Sequence, residues 1–471
     1  MNIKKIIQFA IGLIGSAIVN LITLPIMTWY LPQEIIGKLS LLTVITGFVV
    51  TIFSLGLDQA YIREYHYKSN KVKLFYSTFV PGLVFLLTIS IIIIILRSQF
   101  STYINYELNG YFYFIIIAIF AFSLLNRFLS LIFRMEEKGI LYSLSLAIPK
   151  LMFLILIYTY IKNFNVDFFD LITLQLFSIS IMTMLSVLLL RKSIAPVDIS
   201  KATVILSYFK YSFPLMFGSI AYWGLISIDR LFIAKLSDYN ELAIFSIAMS
   251  FAGAANLIQS IFSTIWVPTV YKWAKEINNI AICKRKIENV NIVTCIITVI
   301  VTSFSCGFSW VVDYLIPLDY TTVKYVIPCC MIPSLYYVVS ETTVTGINIS
   351  KKTRYSMLSS FIALGINIIG NYMLIPKVGF TGAAISTSVS FYIFLILRTE
   401  FSVRLWIKIE RLRMYIVLTV NIITAIIFSI YRNENITYFF IILNLIICYM
   451  IYRKDIKSML SVLVLKMEHA K

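Results

Sequence analysis

Apolar stretches of about 20 residues follow one another along this chain, and the short connections between them alternate in charge, one bearing lysines and arginines and the next almost none. Lipid offers a backbone no hydrogen bonds, so stretches of that length cross it as helices, which satisfy their own N–H and C=O groups. Fourteen spans are expected, near residues 8–30, 36–58, 75–96, 111–133, 140–161, 169–190, 211–234, 242–265, 289–312, 323–346, 356–375, 380–401, 415–431 and 437–452. A span of about 22 residues reaches about 33 Å, enough to cross with some tilt. Hydrophobic residues make up 60% of the chain, and no connection is long enough to form a sizeable soluble domain. The fold class expected is an all-α polytopic membrane protein.

The charge pattern fixes an orientation. With the N-terminus in the cytoplasm, 30 of the 40 lysines and arginines fall on that side. The opposite side holds 7 (Lys38, Arg97, Lys162, Lys235, Lys324, Lys377 and Arg432), and 3 lie within spans (Arg127, Lys150 and Arg230). This is the positive-inside bias of a multi-pass membrane protein, with both termini expected in the cytoplasm. The net charge of +18 therefore reports topology and contact with anionic membrane lipids, not a nucleic-acid partner. Lys4 and Lys5 resemble the start of a signal peptide, but the apolar run continues past Pro25 to Tyr30, beyond a signal core of about 7–15 residues, so the first span is read as retained.

Several chemistries lack their residues. The six cysteines include no CxxC pair and read as small apolar core residues, although Cys306, Cys329 and Cys330 lie toward one side, where a bridge could form. Only His66 and His469 are histidines, and no cluster has metal-ligand spacing. No nucleotide-binding Walker motif occurs. An embedded polymerase or glycosyltransferase would need a catalytic constellation on a large extramembrane loop, so the chain is not read as an enzyme and no cofactor is expected.

The basic loop at 191–210 divides the chain into two six-span blocks. LPQEIIGKLSLL (31–42) after the first span and LSDYNELAIFSIA (236–248) after the seventh are similar short turns leading into a helix, and they align Ser40 with Ser246. Blocks with an even number of spans give parallel repeats, here two six-helix bundles around a central cavity. The organisation expected is 1–195, 196–405 and 406–471, the last a helix pair with a cytoplasmic tail. Such bundles rock to open a cavity to one side at a time, which is transporter architecture.

Polar residues inside spans mark the candidate site, since a charge at mid-membrane costs at least about 2.5–3.5 kcal/mol. Arg127, preceded by Asn126, lies two turns inside span 4, Lys150 follows Pro149 in span 5, and Asp229 and Arg230 occupy span 7. Glu341 lies deep in span 10, and Asn367 and Asn371 share a face of span 11. Asp58 and Arg63 stand at a membrane boundary, where an ion pair between them is expected. Arg127, Lys150 and Arg230 suit an anionic substrate bearing phosphate, because guanidinium forks match phosphate oxygens and lysine adds a point charge. Asn126, Asn367 and Asn371 would line the cavity. Asp229, Glu341, Asp58 and Arg63 are candidates for ion pairing or for coupling to H+ or Na+. Trp223, Tyr222 and Tyr336 are candidates to stack on sugars.

The runs LITLPIMTWYLPQEIIGKLSLLTVI (21–45), FSLGLDQAYIREY (53–65), SIDRLFIAKLSDYNELAIFSIA (227–248) and NIIGNYMLIPKVGFTGAAISTSVS (367–390) together resemble the polysaccharide transporter family. These are the O-antigen and lipid-linked oligosaccharide flippases of the MOP exporter superfamily. The resemblance implies two six-helix lobes around a cationic cavity, to which Arg127, Lys150 and the Asp229–Arg230 pair contribute. It implies translocation of an undecaprenyl-diphosphate-linked oligosaccharide from the cytoplasmic to the periplasmic leaflet, alongside a polysaccharide polymerase and a chain-length regulator. The alternatives are a multidrug/cation antiporter of the same superfamily, which would want an acidic cavity, and a lipid-II or teichoic-type flippase.

Overall fold

The computed structural model describes residues 3–95, 110–162, 166–194, 202–276, 280–350, 352 and 354–468. Arg97, Lys351, His469 and the expected boundary at 195/196 lie outside them. Among the described residues every regular element is helical. The long helices are α1 Ile3–Thr28 and α2 Gln33–Phe53, then α4 Lys71–Ile95, α5 Gly110–Met135, α6 Gly139–Ile161 and α7 Phe168–Leu189. They continue with α8 Ala202–Leu236, α9 Tyr239–Glu276, α10 Ile280–Gly307, α11 Val323–Ile349, α12 Arg354–Val378, α13 Phe380–Leu405, α14 Leu412–Tyr431 and α15 Glu434–Glu468. One short helix, α3 Leu57–Glu64, lies between α2 and α4. Among the described residues thirteen helices are long and apolar enough to cross a membrane. α1, at 26 residues, stands where the first of the fourteen expected spans was placed, and its part Ile18–Thr28 is a shorter apolar helix. The protein is an all-α polytopic membrane protein.

Most helix ends fall within a few residues of the hydropathy limits. α8 and α9 run on to 35 and 38 residues, because a helix can continue past the point where its sequence stops being lipid-like. α10 stops at Gly307, and the chain turns through the 3-10 segment Ser309–Tyr314, pinned by Lys324 Nζ at 2.6 Å from Asp313. α3 is absent from the hydropathy pattern. It follows a break at Leu55 and Gly56, both at positive φ, and a Cβ on Gly56 would stand 2.5 Å from the Ser212 carbonyl oxygen. Only glycine fits there, and the break turns 57–64 away from α2.

Prolines lie inside α1, α4, α6, α8, α9, α11 and α12 without ending them. Lipid-buried helices tolerate proline because neighbouring groups take up the freed carbonyls.

The chain forms two compact units, Met1–Ser227 and Ile228–Lys471, divided inside α8. In the first, α1 packs on α6, and α5 packs on α7. An aromatic core of Tyr61, Tyr65, Phe75, Phe79, Phe128 and Phe133 joins α3, α4 and α5. In the second, α11 is the centre, packed by α9, α10, α13 and α14. The α11 window is 83% buried although it is among the least hydrophobic of the spans, whereas that of the more apolar α6 is 17% buried. In lipid the most apolar helix gains nothing from burial, and the polar one must find partners inside the protein.

Candidate functional site

Each in-span charge is described within its own unit. In the first, Arg127 on α5 donates from Nη2 to Asp58 Oδ2 at 3.0 Å. Asp58 is nearly buried at the start of α3 and also accepts the backbone N–H of Gln59 at 2.9 Å. The expected partner of Asp58 was Arg63, and the structure corrects this. Five residues on, Arg63 points about 140° away around the helix. Its guanidinium lies 4.1 Å above the Tyr211 ring, and its Nε is 3.6 Å from Glu64. Sequence proximity misled because the break at Gly56 turns α3 so that Asp58 meets α5.

Lys150 is the contrasting case. Its Nζ donates to Ser16 Oγ on α1 at 2.8 Å, and among the described residues no carboxylate lies within 4.0 Å. A hydroxyl partner leaves the ammonium charge uncancelled. Asn126 reaches from α5 to the Ser145 carbonyl on α6 at 3.4 Å, and its Oδ1 is buried with no partner among the described residues.

In the second unit α8, α12 and α13 build a closed polar cluster. Asp229 is 1% exposed. Its Oδ1 accepts from Asn371 Nδ2 at 2.7 Å and its Oδ2 from the Thr387 hydroxyl at 2.5 Å. Asn371 Nδ2 also reaches Asn367 Oδ1 at 3.0 Å, and Asn367 Nδ2 donates to Thr387 Oγ1 at 2.9 Å. The i, i+4 spacing of the asparagines does place them on one face, and that face meets Asp229. Asn371 Oδ1 is left without a donor, and among the described residues no basic nitrogen lies within 4.0 Å of the Asp229 carboxylate. Buried acceptors in that balance call for a proton or a small cation. Adjacent Arg230 does not turn to the carboxylate, and its Nε is buried without a hydrogen-bond partner among the described residues.

Glu341, on α11, is 6% exposed, and its Oε2 has no hydrogen-bond partner among the described residues. Its backbone carbonyl accepts from Trp266 Nε1 at 2.9 Å. Nearby stands a residue that sequence reasoning missed. Arg398 had been counted among the cytoplasmic bases, but α13 continues to Leu405 and holds it inside, 6% exposed. Its Nη1 donates to Ser340 Oγ at 2.8 Å, and the guanidinium lies 4.9 Å from both the Tyr337 and Phe394 rings. The length of α13 was the available signal. Thr387 was missed as well, since one threonine in a serine-rich helix carries no pattern.

Of the aromatic candidates, Tyr336 is fully buried and donates its hydroxyl to the Leu418 carbonyl at 2.6 Å, so its ring is structural. Trp223 packs on Phe48 with centroids 4.6 Å apart. All six cysteines are buried and free.

Helical polytopic architecture with charged and amide side chains inside the spans recurs among solved membrane proteins. The chain superposes on the lipid II flippase MurJ in its inward closed conformation with TM-score 0.69 at 16% identity, covering 96% of this chain and 100% of that one. A multidrug resistance MATE family transporter of the MOP superfamily, inward-facing, gives TM-score 0.58 at 14% identity over 84% of this chain and 93% of that one. Its outward-facing conformation gives 0.53 at 15% identity, over 85% and 94%. These likenesses establish the fold. No curated protein sequence matches the chain. The family described as polysaccharide biosynthesis protein matches residues 3–273, more than half the chain, and the protein belongs to that family.

Proposed function

We propose that this protein is a flippase that moves undecaprenyl-diphosphate-linked oligosaccharide repeat units, of O-antigen or a related surface polysaccharide, from the cytoplasmic to the periplasmic leaflet by alternating access. The observation that carries the proposal is Lys150: a membrane-embedded ammonium held by a serine hydroxyl keeps its charge for something anionic. A diphosphate head cannot cross about 30 Å of hydrocarbon unaided, and bases in the spans supply the missing counter-charge. Arg230 adds a second site, with its orphan Nε, and Arg127 a third, shared with Asp58. Membership of a polysaccharide biosynthesis family supports this cargo class, and the fold shared with a lipid II flippase supports the mode of transport.

On this reading the protein lies in the cytoplasmic membrane with both termini inside, working with a polymerase and a chain-length regulator. Its chain divides as six spans, six spans and a final pair. No bond is made or broken in the cargo, so no catalytic residue is assigned. The Asp229–Asn371–Thr387 cluster is the coupling element, taking up a proton or a sodium ion that drives the return of the empty carrier.

A second reading, a multidrug/cation antiporter, is favoured by the buried acids Asp229 and Glu341 and by the MATE fold. A third is a lipid-II or teichoic-type flippase, which differs only in cargo. One experiment separates them: delete the gene and follow lipid-linked repeat units by leaflet-selective labelling. Accumulation on the cytoplasmic leaflet, rescued by the wild type and not by Lys150→Gln, is expected. Normal periplasmic delivery together with hypersensitivity to organic cations would replace the flippase by the antiporter. Accumulation of lipid II alone would change the cargo.

A further inference from the structure

Between the end of α10 at Gly307 and the start of α11 at Val323 the chain has no lysine or arginine. It turns six large apolar side chains outward there: Phe308, Trp310, Val311, Tyr314, Leu315 and Leu318. Tyr314 is 78% exposed and Leu318 82%. The connection is nevertheless ordered by its own contacts. Val312, Ile316 and Tyr320, interspersed among the exposed residues, are buried, and Lys324 Nζ holds Asp313 at 2.6 Å. The outward rings follow one another, Phe308 to Trp310 at 6.4 Å and Trp310 to Tyr314 at 6.0 Å between centroids. A contiguous apolar surface of this kind marks contact with a partner or a membrane.

Two observations point to lipid as the cover. The first is continuity. Val293, Ile297, Ile300 and Phe304 are exposed on α10 at spacings of four, three and four, which makes them one face of the helix within its span. That face is wholly apolar, as a face against acyl chains must be. Phe304 stacks on Phe308 at 4.2 Å and hands the face on to the connection with no polar gap.

The second is depth. Glu288 is the last charged residue of α10, and the 19 residues from it to Gly307 rise about 28 Å, close to the roughly 30 Å of hydrocarbon. Gly307 therefore reaches the opposite edge of the hydrocarbon, and α11, the next span, starts back from that edge at Val323. The connection runs along the boundary between them. Tryptophan and tyrosine, apolar in the body and polar at the tip, are the side chains that this boundary selects.

We propose that residues 308–318 form an interfacial anchor whose partner is the lipid bilayer itself. Recognition is through the acyl chains and the ester region, not through headgroup charge, because residues 289–323 contain no base to seek an anion. The Asp313–Lys324 pair ties the anchor to the first turn of α11, so it fixes the depth of the end of α10 and of the central helix of the second unit. The inference does not depend on what the carrier moves.

The test uses the full-length protein in liposomes. The native cysteines are all buried, so Tyr314→Cys and Leu318→Cys each offer one exposed thiol to a spin label. Collision with oxygen, which concentrates in lipid, should exceed collision with a water-soluble nickel chelate by about threefold or more at both positions, as for a segment buried about 5–10 Å into the headgroup–acyl boundary. The ratio should be the same in phosphatidylcholine and in phosphatidylcholine mixed with phosphatidylglycerol. Trp310 gives a label-free reading. The fluorescence lost in Trp310→Phe should be quenched by bromine near the ester end of the acyl chains, and several-fold less by bromine at the chain terminus. Nickel-dominated collision at both labels would place the segment in water and overturn the proposal. Labels shielded from both quenchers would also overturn it, and dipolar coupling between copies would then identify a second copy of this chain as the cover. A requirement for phosphatidylglycerol would overturn recognition without charge. Stronger quenching from the chain terminus would overturn the interfacial depth in favour of a segment that re-enters the bilayer.

Discussion

The two units solve the same problem, polar side chains in lipid, in different ways. In the first, buried hydroxyls turn back on their own helices, as Thr78 does to the Leu74 carbonyl at 2.9 Å, Ser178 to Leu174 at 2.7 Å and Thr183 to Ile179 at 2.7 Å, and the bonds that cross between its elements come from a few other side chains, among them Arg127, Lys150 and Asn126. In the second, side chains bond between helices: Asn371 and Thr387 to Asp229, Asn291 to Thr342, Tyr336 to the Leu418 carbonyl, Ser388 to the Cys329 carbonyl at 2.8 Å, and Asn421 to Thr302. Helices that satisfy themselves can slide and tilt against neighbours at little cost. Helices joined by side-chain bonds in a medium without water keep their registry. The first unit therefore has the character of a more deformable bundle and the second that of a fixed frame; on the proposed function the bundle carries Arg127 and Lys150 and the frame holds Arg230 and the proposed coupling cluster.

Removing the hub of the frame should have the largest effect. Asp229→Ala strips a fully buried acceptor from two donors at once. An orphaned buried donor costs about 1–3 kcal/mol, so a loss of roughly 2 kcal/mol or more is expected, together with loss of transport. Thermal unfolding in nanodiscs measures the first, and surface polysaccharide the second. Asp229→Asn should recover most of the stability and none of the transport, because the shape remains and the charge does not. If both variants unfold equally and Asn retains transport, the cluster is not a coupling site.

The joint between α9 and α13 should come next. Gly379 has φ 58°, and a Cβ there would run into the Glu241 carboxylate. That carboxylate accepts the Phe380 N–H at 2.9 Å and the Ser237 hydroxyl at 2.7 Å, and so holds the start of α13 against α9. Gly379→Ala should cost about 1–3 kcal/mol from backbone strain, before any loss of these bonds. Glu241→Gln, which keeps an acceptor, should cost less. The reverse order in thermal melts would show that the glycine is not what the joint requires.

Lys150→Gln sharpens the comparison from the other side. Its partner is a hydroxyl and its environment is the deformable unit, so stability should move by no more than about 0.5 kcal/mol while transport is lost. Arg127→Gln should affect both, since it leaves Asp58 nearly buried and without its ion pair. A Lys150 variant with full transport would remove the observation on which the function rests.

The fold was legible because lipid reduces the choices to one. Any apolar run of about 20 residues must be a helix. The site was legible only in part. Asp229, Asn367 and Asn371 announced themselves as residues that lipid rejects, and two of them shared a helix face. Thr387 and Arg398 did not, because a threonine is ordinary in a span and an arginine near a helix end reads as a loop residue. Asp58 was assigned to the wrong partner, since the positive-φ break at Leu55 and Gly56 that aims α3 has no hydropathy signature. Pairings between distant helices depend on packing, and sequence periodicity carries no record of which faces meet.

The smallest effects offer the finest test of the contrast between the units. Thr183 and Thr302 are both buried threonines at 1% and 2% exposure, each with its hydroxyl bonded to a carbonyl on its own helix. Thr183 makes no further side-chain bond among the described residues. Its carbonyl partner is already engaged in the helix, and back-bonding of this kind slightly bends and weakens a helix. Thr183→Val should therefore be neutral within about 0.5 kcal/mol, or slightly stabilising. Thr302 also accepts from Asn421 Nδ2 on α14, so Thr302→Val leaves a buried amide proton unmatched and should cost about 1–3 kcal/mol. The doubly substituted Thr302→Val, Asn421→Leu protein should recover part of that loss, since replacing both partners by apolar groups removes the orphan. Equal effects of the two threonine substitutions in nanodisc melts would show that interhelical side-chain bonds do not distinguish the frame from the deformable bundle.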